Sequence, residues 1–283
     1  MTPSVLITGC SSGIGRATAL YFQQNGWRVF ATLRQVEAEQ ELNQLEGVTC
    51  LPLDVTNEAQ VQHTIAQVLA AGPLDVVVSN AGYGTIGAFE AATTEQILQQ
   101  FDTNLFGAMR VIRAVLPHFR ERRQGTIVQV GSWGGRVALP LGSVYHGSQW
   151  ALQGFLESLH YELRQFGIRV KIIEPGPTQT DFFGRSQVFF DRPDFNVYEA
   201  YVARTMANLQ QMGIDAPGAE DVAEVVYRAA TSSSSKLRYP VGIASRWFRW
   251  RKWLPASWFR RLVRSKTEEA VDRLRNYRQE IDR

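Results

Sequence analysis

Short runs of continuous apolar, mostly β-branched residues alternate along this chain with longer stretches of helical periodicity. VLIT at 5–8, RVFATL at 28–33, VTCLPL at 48–53, LDVVVS at 74–79, TIVQV at 126–130 and RVKIIE at 169–174 each read as a strand. Unbroken apolar character predicts burial on both faces, as in a parallel sheet covered by helices on each side. A helix opens near Gly13, a polar helix is expected around 37–45, and a short strand at 238–241 follows the serine run at 232–235. The expected fold class is therefore α/β, a doubly wound parallel sheet of Rossmann type forming a single domain over 1–245. A basic, aromatic-rich helical extension follows over 246–283, with Pro255 dividing it into two short helices. The stretch from Gly176 to about Asp194 has no clear period and reads as a loop able to close over a site.

Composition narrows the class. At 283 residues, with 45% hydrophobic and 20% charged, the chain is long and apolar enough to bury a full sheet. Two cysteines, Cys10 and Cys50, and four histidines supply neither a disulfide framework nor metal-ligand spacing, so no metal is expected. The N-terminus runs straight into a strand without the parts of a secretory signal. No apolar run approaches the roughly 20 residues that cross a bilayer, so a cytoplasmic location is expected. Net charge is +3, but the chain from Ser245 onward holds 12 basic and 5 acidic residues, +7 against −4 for the rest.

The chemistry begins at Thr8-Gly9-Cys10-Ser11-Ser12-Gly13-Ile14-Gly15, directly after the first strand and opening the first helix. Glycines at this spacing allow a tight turn and close approach of the backbone to a pyrophosphate, which the helix N-terminus meets with free N–H groups. A preceding strand, a following helix and a βαβ repeat are the context the motif requires. At the end of the second strand an acidic residue would bind a ribose 2′-hydroxyl, but Ala31-Thr32-Leu33-Arg34 stands there. Arg34 suits a 2′-phosphate, with Ser11 or Ser12 adding a hydroxyl, which favours NADP(H) over NAD(H). Asp54 is placed to accept from an adenine amino group, with the Val55 backbone beside it.

Further along, Ser79-Asn80-Ala81-Gly82 follows the fourth strand, Asn104 begins a helical segment, Ser132 follows the fifth strand, and Tyr145 lies thirteen residues on. With Pro175, Gly176, Thr178 and Thr180 after the sixth strand, residues 3–245 resemble the short-chain dehydrogenase/reductase family. ATLR and GCSSGIG are most similar to members related to 17β-hydroxysteroid and retinol dehydrogenases. The resemblance implies that Tyr145 is the general acid/base, Ser132 orients the carbonyl oxygen, and Asn104 holds a water of the proton relay. It also implies that Asn80, Ala81 and Gly82 support the sheet and the adenosine ribose. Pro175, Gly176, Thr178 and Thr180 then contact the nicotinamide end, and the chain pairs as a homodimer or homotetramer through the helices carrying Asn104 and Tyr145.

The octapeptide SVYHGSQW at 143–150 departs from that pattern. Tyrosine is followed one helical turn later by Gln149, where the family has a lysine that lowers the tyrosine pKa and donates to the nicotinamide ribose. An amide can donate to the ribose, but it carries no charge and relays no proton. Loss of such a charge costs about 3–4 kcal/mol, a hundred- to a thousand-fold in rate. His146 points about 100° away around the helix and does not replace it. Three explanations of Gln149 stand: a substitution introduced to trap a complex, a native residue of a slow reductase, or the mark of a cofactor-binding protein without turnover.

Trp133, Val137, Leu139, Leu141, Phe182, Phe183, Val188, Phe189 and Phe190 either line an apolar pocket or pack a lid. The tail WFRWRKWLPASWFRRLV at 247–263 suits a membrane surface or a neighbouring subunit, the alternative being rings packed on the body with arginines in solvent. The expected function is NADP(H)-dependent interconversion of a hydrophobic alcohol and its ketone or aldehyde, weakened by Gln149. A catalytically inactive NADP(H)-binding sensor or scaffold is the alternative, and nucleic acid is not an expected partner.

Overall fold

The computed structural model describes residues 2–179, 187–190, 196–211 and 216–268. The described residues form nine strands: β1 Ser4–Thr8, β2 Arg28–Leu33, β3 Val48–Pro52, β4 Val76–Ser79, β5 Gly84–Ile86, β6 Gly125–Val130, β7 Ile168–Pro175, β8 Gln187–Phe189 and β9 Arg238–Val241. Seven of them make one sheet in the order β3-β2-β1-β4-β6-β7-β9, and every pairing is parallel. The chain winds outward first through β2 and β3 and then through β4, β6, β7 and β9. The direction therefore reverses between β1 and β4, the place where doubly wound sheets open a crevice.

Helices α1 Gly13–Gln24 and α7 Ala219–Thr231 cover one face, while α2 Glu58–Ala70, α4 Ala108–Arg122 and α5 Ser143–Leu163 cover the other. The period-2 alternation of the strands divides their side chains between two cores. Val5, Ile7, Val29, Val76, Val78 and Val128 pack on Phe22 of α1 and Val222 and Val226 of α7. Leu6, Phe30, Val77, Ile127, Val170 and Ile172 pack on Val61 and Ile65 of α2, Val111, Val115 and Phe119 of α4, and Leu152 and Leu156 of α5. Each fully buried aliphatic side chain contributes about 1.5–3 kcal/mol, so both faces of the sheet are needed to hold it.

Three expectations change. The polar helix around 37–45 is instead two single turns, Val36–Ala38 and Leu42–Gln44. Only Leu42 is buried there, too little apolar surface to hold a helix against the body. The Glu39 carboxylate also accepts from the backbone N–H groups of Glu41 and Leu42, which favours a turn. The segment 176–194 is not wholly irregular, because β8 lies within it and pairs in parallel with β5 through Gly84↔Gln187, Thr85↔Val188 and Ile86↔Phe189. Asn104 lies within a π turn, Asp102–Gly107, that joins α3 Thr94–Phe101 to α4, rather than at a helix start.

The chain after β9 forms α8 Ala244–Trp253 and α9 Ala256–Thr267, which meet at Leu254-Pro255. They pack on the body through Trp247, Phe248 and Phe259 against Trp133 and Val137. The Asn208 amide of α6 Glu199–Gln211 donates to the Thr267 carbonyl at 2.9 Å. No helix among the described residues is long and apolar enough to cross a membrane.

Candidate active site

Parallel pairing brings the C-terminal ends of β1, β2, β3, β4, β6 and β7 to one edge, as the registers Thr8↔Thr32, Ser79↔Gln129 and Val130↔Ile173 show. The residues that follow those ends, Gly9 to Gly15, Arg34, Asp54, Asn80 to Gly82, Ser132 and Pro175, lie along that edge.

The turn after β1 depends on glycine for space. Gly9 has φ +74°, and a Cβ there would stand 2.9 Å from the Ala81 Cα. A Cβ at Gly15 would stand 2.2 Å from the Gly9 carbonyl oxygen and 2.4 Å from the Asn80 amide nitrogen. Asn80 donates to the Thr8 and Gly9 carbonyls, and the Thr8 hydroxyl accepts from the backbone of Asn80 and Ala81. Asn80 and Ala81 therefore shape the turn itself, and Thr8 is the buttress the sequence motif did not single out. Ser12 stands at the N-cap of α1 without a side-chain cap, and the first turn has no acidic residue, so that helix end is open to an anion.

Beside it lies a cavity of about 750 Å³ lined by Ser11, Arg16, Arg34, Glu39 and Glu41 among others. Arg34 is exposed at its edge. Arg16, which sequence reasoning missed, points into the same space and pairs with Glu39 at 2.7 Å and Glu41 at 2.6 Å. Burial pushes the Glu39 carboxyl up, but Arg16 and the Leu42 and Glu41 N–H groups together hold it below its ordinary value. Its signal was the sequence GIGR, where the arginine falls in the first turn of α1. Asp54 accepts from the Thr56 N–H and hydroxyl at 2.9 and 2.7 Å, which fixes its carboxylate at the end of β3. The adjoining Val55 is buried, and its carbonyl accepts from Arg110 at 3.3 Å.

The other half of the site is built on α5. The Tyr145 phenol faces the Ser132 hydroxyl, which accepts from the Gly134 N–H at 3.0 Å. Burial pushes the Tyr145 phenol above its ordinary value, and the Ser132 hydroxyl only partly opposes this. Gln149 is buried one turn on, and its Oε1 has no hydrogen-bond partner among the described residues. That oxygen lies against Gly131, 3.5 Å from where a Cβ would stand. One further turn along the same face, Gln153 donates to the Ser132 carbonyl at 2.7 Å. The spacing of 145, 149 and 153 carried this signal, because residues four apart share a helix face.

His146 is a structural residue. It bonds the Gly134 carbonyl through Nδ1 at 3.0 Å and the Leu139 N–H through Nε2 at 3.2 Å, and so ties the loop after Ser132 to α5. Burial pushes its pKa down to about 4, against the pull of the Gly134 bond, so it supplies no charge to Tyr145 at neutral pH.

Asn104 accepts from the Tyr83 N–H at 3.1 Å and donates to the Tyr83 carbonyl at 2.9 Å. Its amide is 3.4 Å from the Ser148 hydroxyl on α5, and Gly82 leaves room for it. The side chain is thus committed to backbone, and π turns recur where helices carry functional groups. After β7, the Gly176 N–H donates to Val241, the Thr178 hydroxyl donates to Gly176, and the Gln179 N–H donates to Pro217. Thr180, Phe182 and Phe183 lie outside the described residues.

The expected pocket divides. Trp133 and Val137 are packed beneath the tail helices, and Phe190 is buried against Ala91 and Val144. Leu141 is buried with φ +66°, its carbonyl accepting from Gly87. Val188 and Phe189 on β8 are exposed. The glycine cradle, the uncapped α1 end and the unpartnered Gln149 Oε1 together fit a dinucleotide lying across the switch point.

These features define a nucleotide-binding α/β oxidoreductase fold. The family model for short chain dehydrogenase matches residues 3–188, and the chain belongs to that family. It is 34% identical to human 17-beta-hydroxysteroid dehydrogenase type 1 over 250 residues, covering 83% of this chain and 76% of the relative. It is 38% identical to human retinol dehydrogenase 8 over 191 residues, or 64% and 61% of the two chains. The solved structure of ElxO with NADP bound superposes with a TM-score of 0.73 at 26% identity, covering 87% of this chain and all of that one.

Proposed function

We propose that the protein is an NADP(H)-linked reductase of a hydrophobic ketone or aldehyde. The Tyr145 phenol facing the Ser132 hydroxyl beside an open dinucleotide cradle carries this reading. Arg34 and Ser11 on one cavity supply a charge and a hydroxyl for a 2′-phosphate, and ElxO holds NADP on the same fold. The apolar substrate class is supported by the steroid and retinoid enzymes among the relatives and by the aliphatic and aromatic residues around the site.

When bound, the reduced nicotinamide supplies hydride to the carbonyl carbon. Ser132 orients the carbonyl oxygen, and Tyr145 gives it a proton, leaving a tyrosinate to be reprotonated. A phenol held above its ordinary pKa near 10 is protonated at neutral pH, which suits donation and disfavours alcohol oxidation. Gln149 provides an amide toward the ribose and no charge. Asp54 receives the adenine, and Pro175, Gly176 and Thr178 contact the nicotinamide end. The domain spans 1–245 with the extension beyond. Exposed Phe106 and Tyr161, on the π turn and on α5, support pairing of two copies through these helices.

The second reading, favoured by Gln149, is NADP(H) binding without turnover. Both readings expect NADPH to bind in a fluorescence titration. Substrate-dependent oxidation of NADPH on a panel of hydrophobic aldehydes and ketones, abolished in Tyr145→Phe, is expected of the reductase only. Binding with no oxidation at high protein concentration selects the second reading.

A further inference from the structure

We propose that the corner between α8 and α9 is a membrane-contacting element that binds the surface of a bilayer carrying anionic lipid. Residues 244–267 contain eight lysines and arginines and no aspartate or glutamate. Their apolar side is already satisfied: Trp247, Phe248 and Phe259 are buried on the body. Two further tryptophans are left outside that core. Trp253 ends α8 with 76% of its surface exposed, and Trp258 in the first turn of α9 has 68% exposed. Arg251, Lys252, Pro255, Ala256 and Ser257 around them are exposed as well, so both rings stand on a projecting corner rather than in a groove.

The same two helices carry cations. The Lys252 ammonium lies 5.3 Å from the Trp253 ring centre. Arg249, Arg260, Arg261 and Lys266 are exposed and form no ion pair among the described residues. Duplex nucleic acid, whose bases are already stacked, or an acidic protein would answer the charge and leave two large rings in water. A lipid interface takes both, because indole partitions to the headgroup level while arginine and lysine reach the phosphates.

The helix that ends at the corner packs on the loop after Ser132. The Trp133 ring, next to Ser132, packs edge-on against Trp247 at 5.4 Å, and Arg136 lies 4.1 Å from the Phe248 ring centre. A bilayer held at the corner would therefore present apolar substrate close to Ser132. That consequence rests on the reductase reading, whereas the binding does not and is measured without turnover.

The test is vesicle flotation of the full chain with phosphatidylcholine alone and with phosphatidylcholine mixed with phosphatidylglycerol. The chain is expected to float with the anionic vesicles, to stay down with the neutral ones, and to be released by salt. Trp253→Ser/Trp258→Ser and, separately, Arg260→Gln/Arg261→Gln should each lose binding. Each arginine is worth about five-fold, so the arginine pair should lose about twenty-five-fold. These residues are exposed, so unchanged melting temperature and NADPH affinity are expected in both variants. Three results overturn the proposal: no flotation with anionic vesicles at low salt, folded variants that bind as the parent does, or a change of oligomeric state in the tryptophan variant that makes the corner a protein interface.

Discussion

The Gln153 amide nitrogen donates to the Ser132 carbonyl at 2.7 Å, and Arg238 donates to the Gln153 carbonyl oxygen at the same distance. Arg238 is held in turn by buried Glu174 at 2.9 Å and by Glu157 at 2.8 Å. Ser132 is therefore positioned from behind by a chain of hydrogen bonds running from β9 through α5, anchored by the Arg238 guanidinium.

Gln153→Leu should remove that positioning and leave the Ser132 carbonyl without its partner, while Arg238 keeps Glu174 and Glu157. A buried group so stranded costs about 1–3 kcal/mol, so the melting temperature should fall. Carbonyl turnover should fall about ten-fold or more while the Kd for NADPH is retained. Equal loss of NADPH binding in a titration would show that Gln153 supports the fold only.

Gln149→Lys should raise activity by about a hundred-fold or more, because Tyr145 and Ser132 still face each other and the lysine would lie one turn away on the same face. In the parent, Tyr145 is protonated through neutral pH. Reduction should hold across that range and fall only as pH rises past the ordinary tyrosine value near 10, and oxidation should rise with pH instead. The lysine variant should shift both profiles to lower pH. Initial rates in both directions across pH measure this, and no gain on any substrate would favour the binding protein without turnover.

Arg34→Asp should weaken NADPH binding by about 1–3 kcal/mol and leave NADH unaffected or improved. Glu41→Gln should act in the opposite sense. Glu41 is exposed and pairs with Arg16 at the rim of the same cavity, so its removal takes away a negative charge and frees a cation. A gain of about five-fold in NADPH affinity is expected, the scale of an exposed ion pair. Calorimetric titration with both dinucleotides separates the two contributions.

His146 should make the protein acid-sensitive. Its ordinary value of 6.5 falls to about 4 in the fold because burial opposes the charged form. Between those values the unfolded chain binds a proton that the folded chain refuses. The stability this residue contributes is full above about pH 6.5 and is lost as pH falls toward 4, by about 3 kcal/mol in total. His146→Leu should be less stable at neutral pH but show a flatter decline over that window. Denaturant melts from pH 4 to 7 give both slopes.

The sequence alone determined the sheet and the phosphate turn, while the family resemblance pointed to Tyr145, Ser132 and Asn104 and the end of the second strand to Arg34. The sheet and the turn are local features: strand periodicity, and glycines that admit no Cβ. It also located Gln149, because four residues in a helix define one face. Tertiary structure decided what depends on partners distant in the chain. Arg16 meets Glu39 and Glu41 across 23 and 25 residues, and Arg238 reaches Gln153 across 85. The fold also made His146 neutral, committed the Asn104 side chain to Tyr83, and sent Trp133 under the tail helices. The polar stretch at 37–45 has helical residues but no face to bury, and only packing reveals that lack. Spacing specifies which side chains share an element, while burial and charge are set by what folds against it.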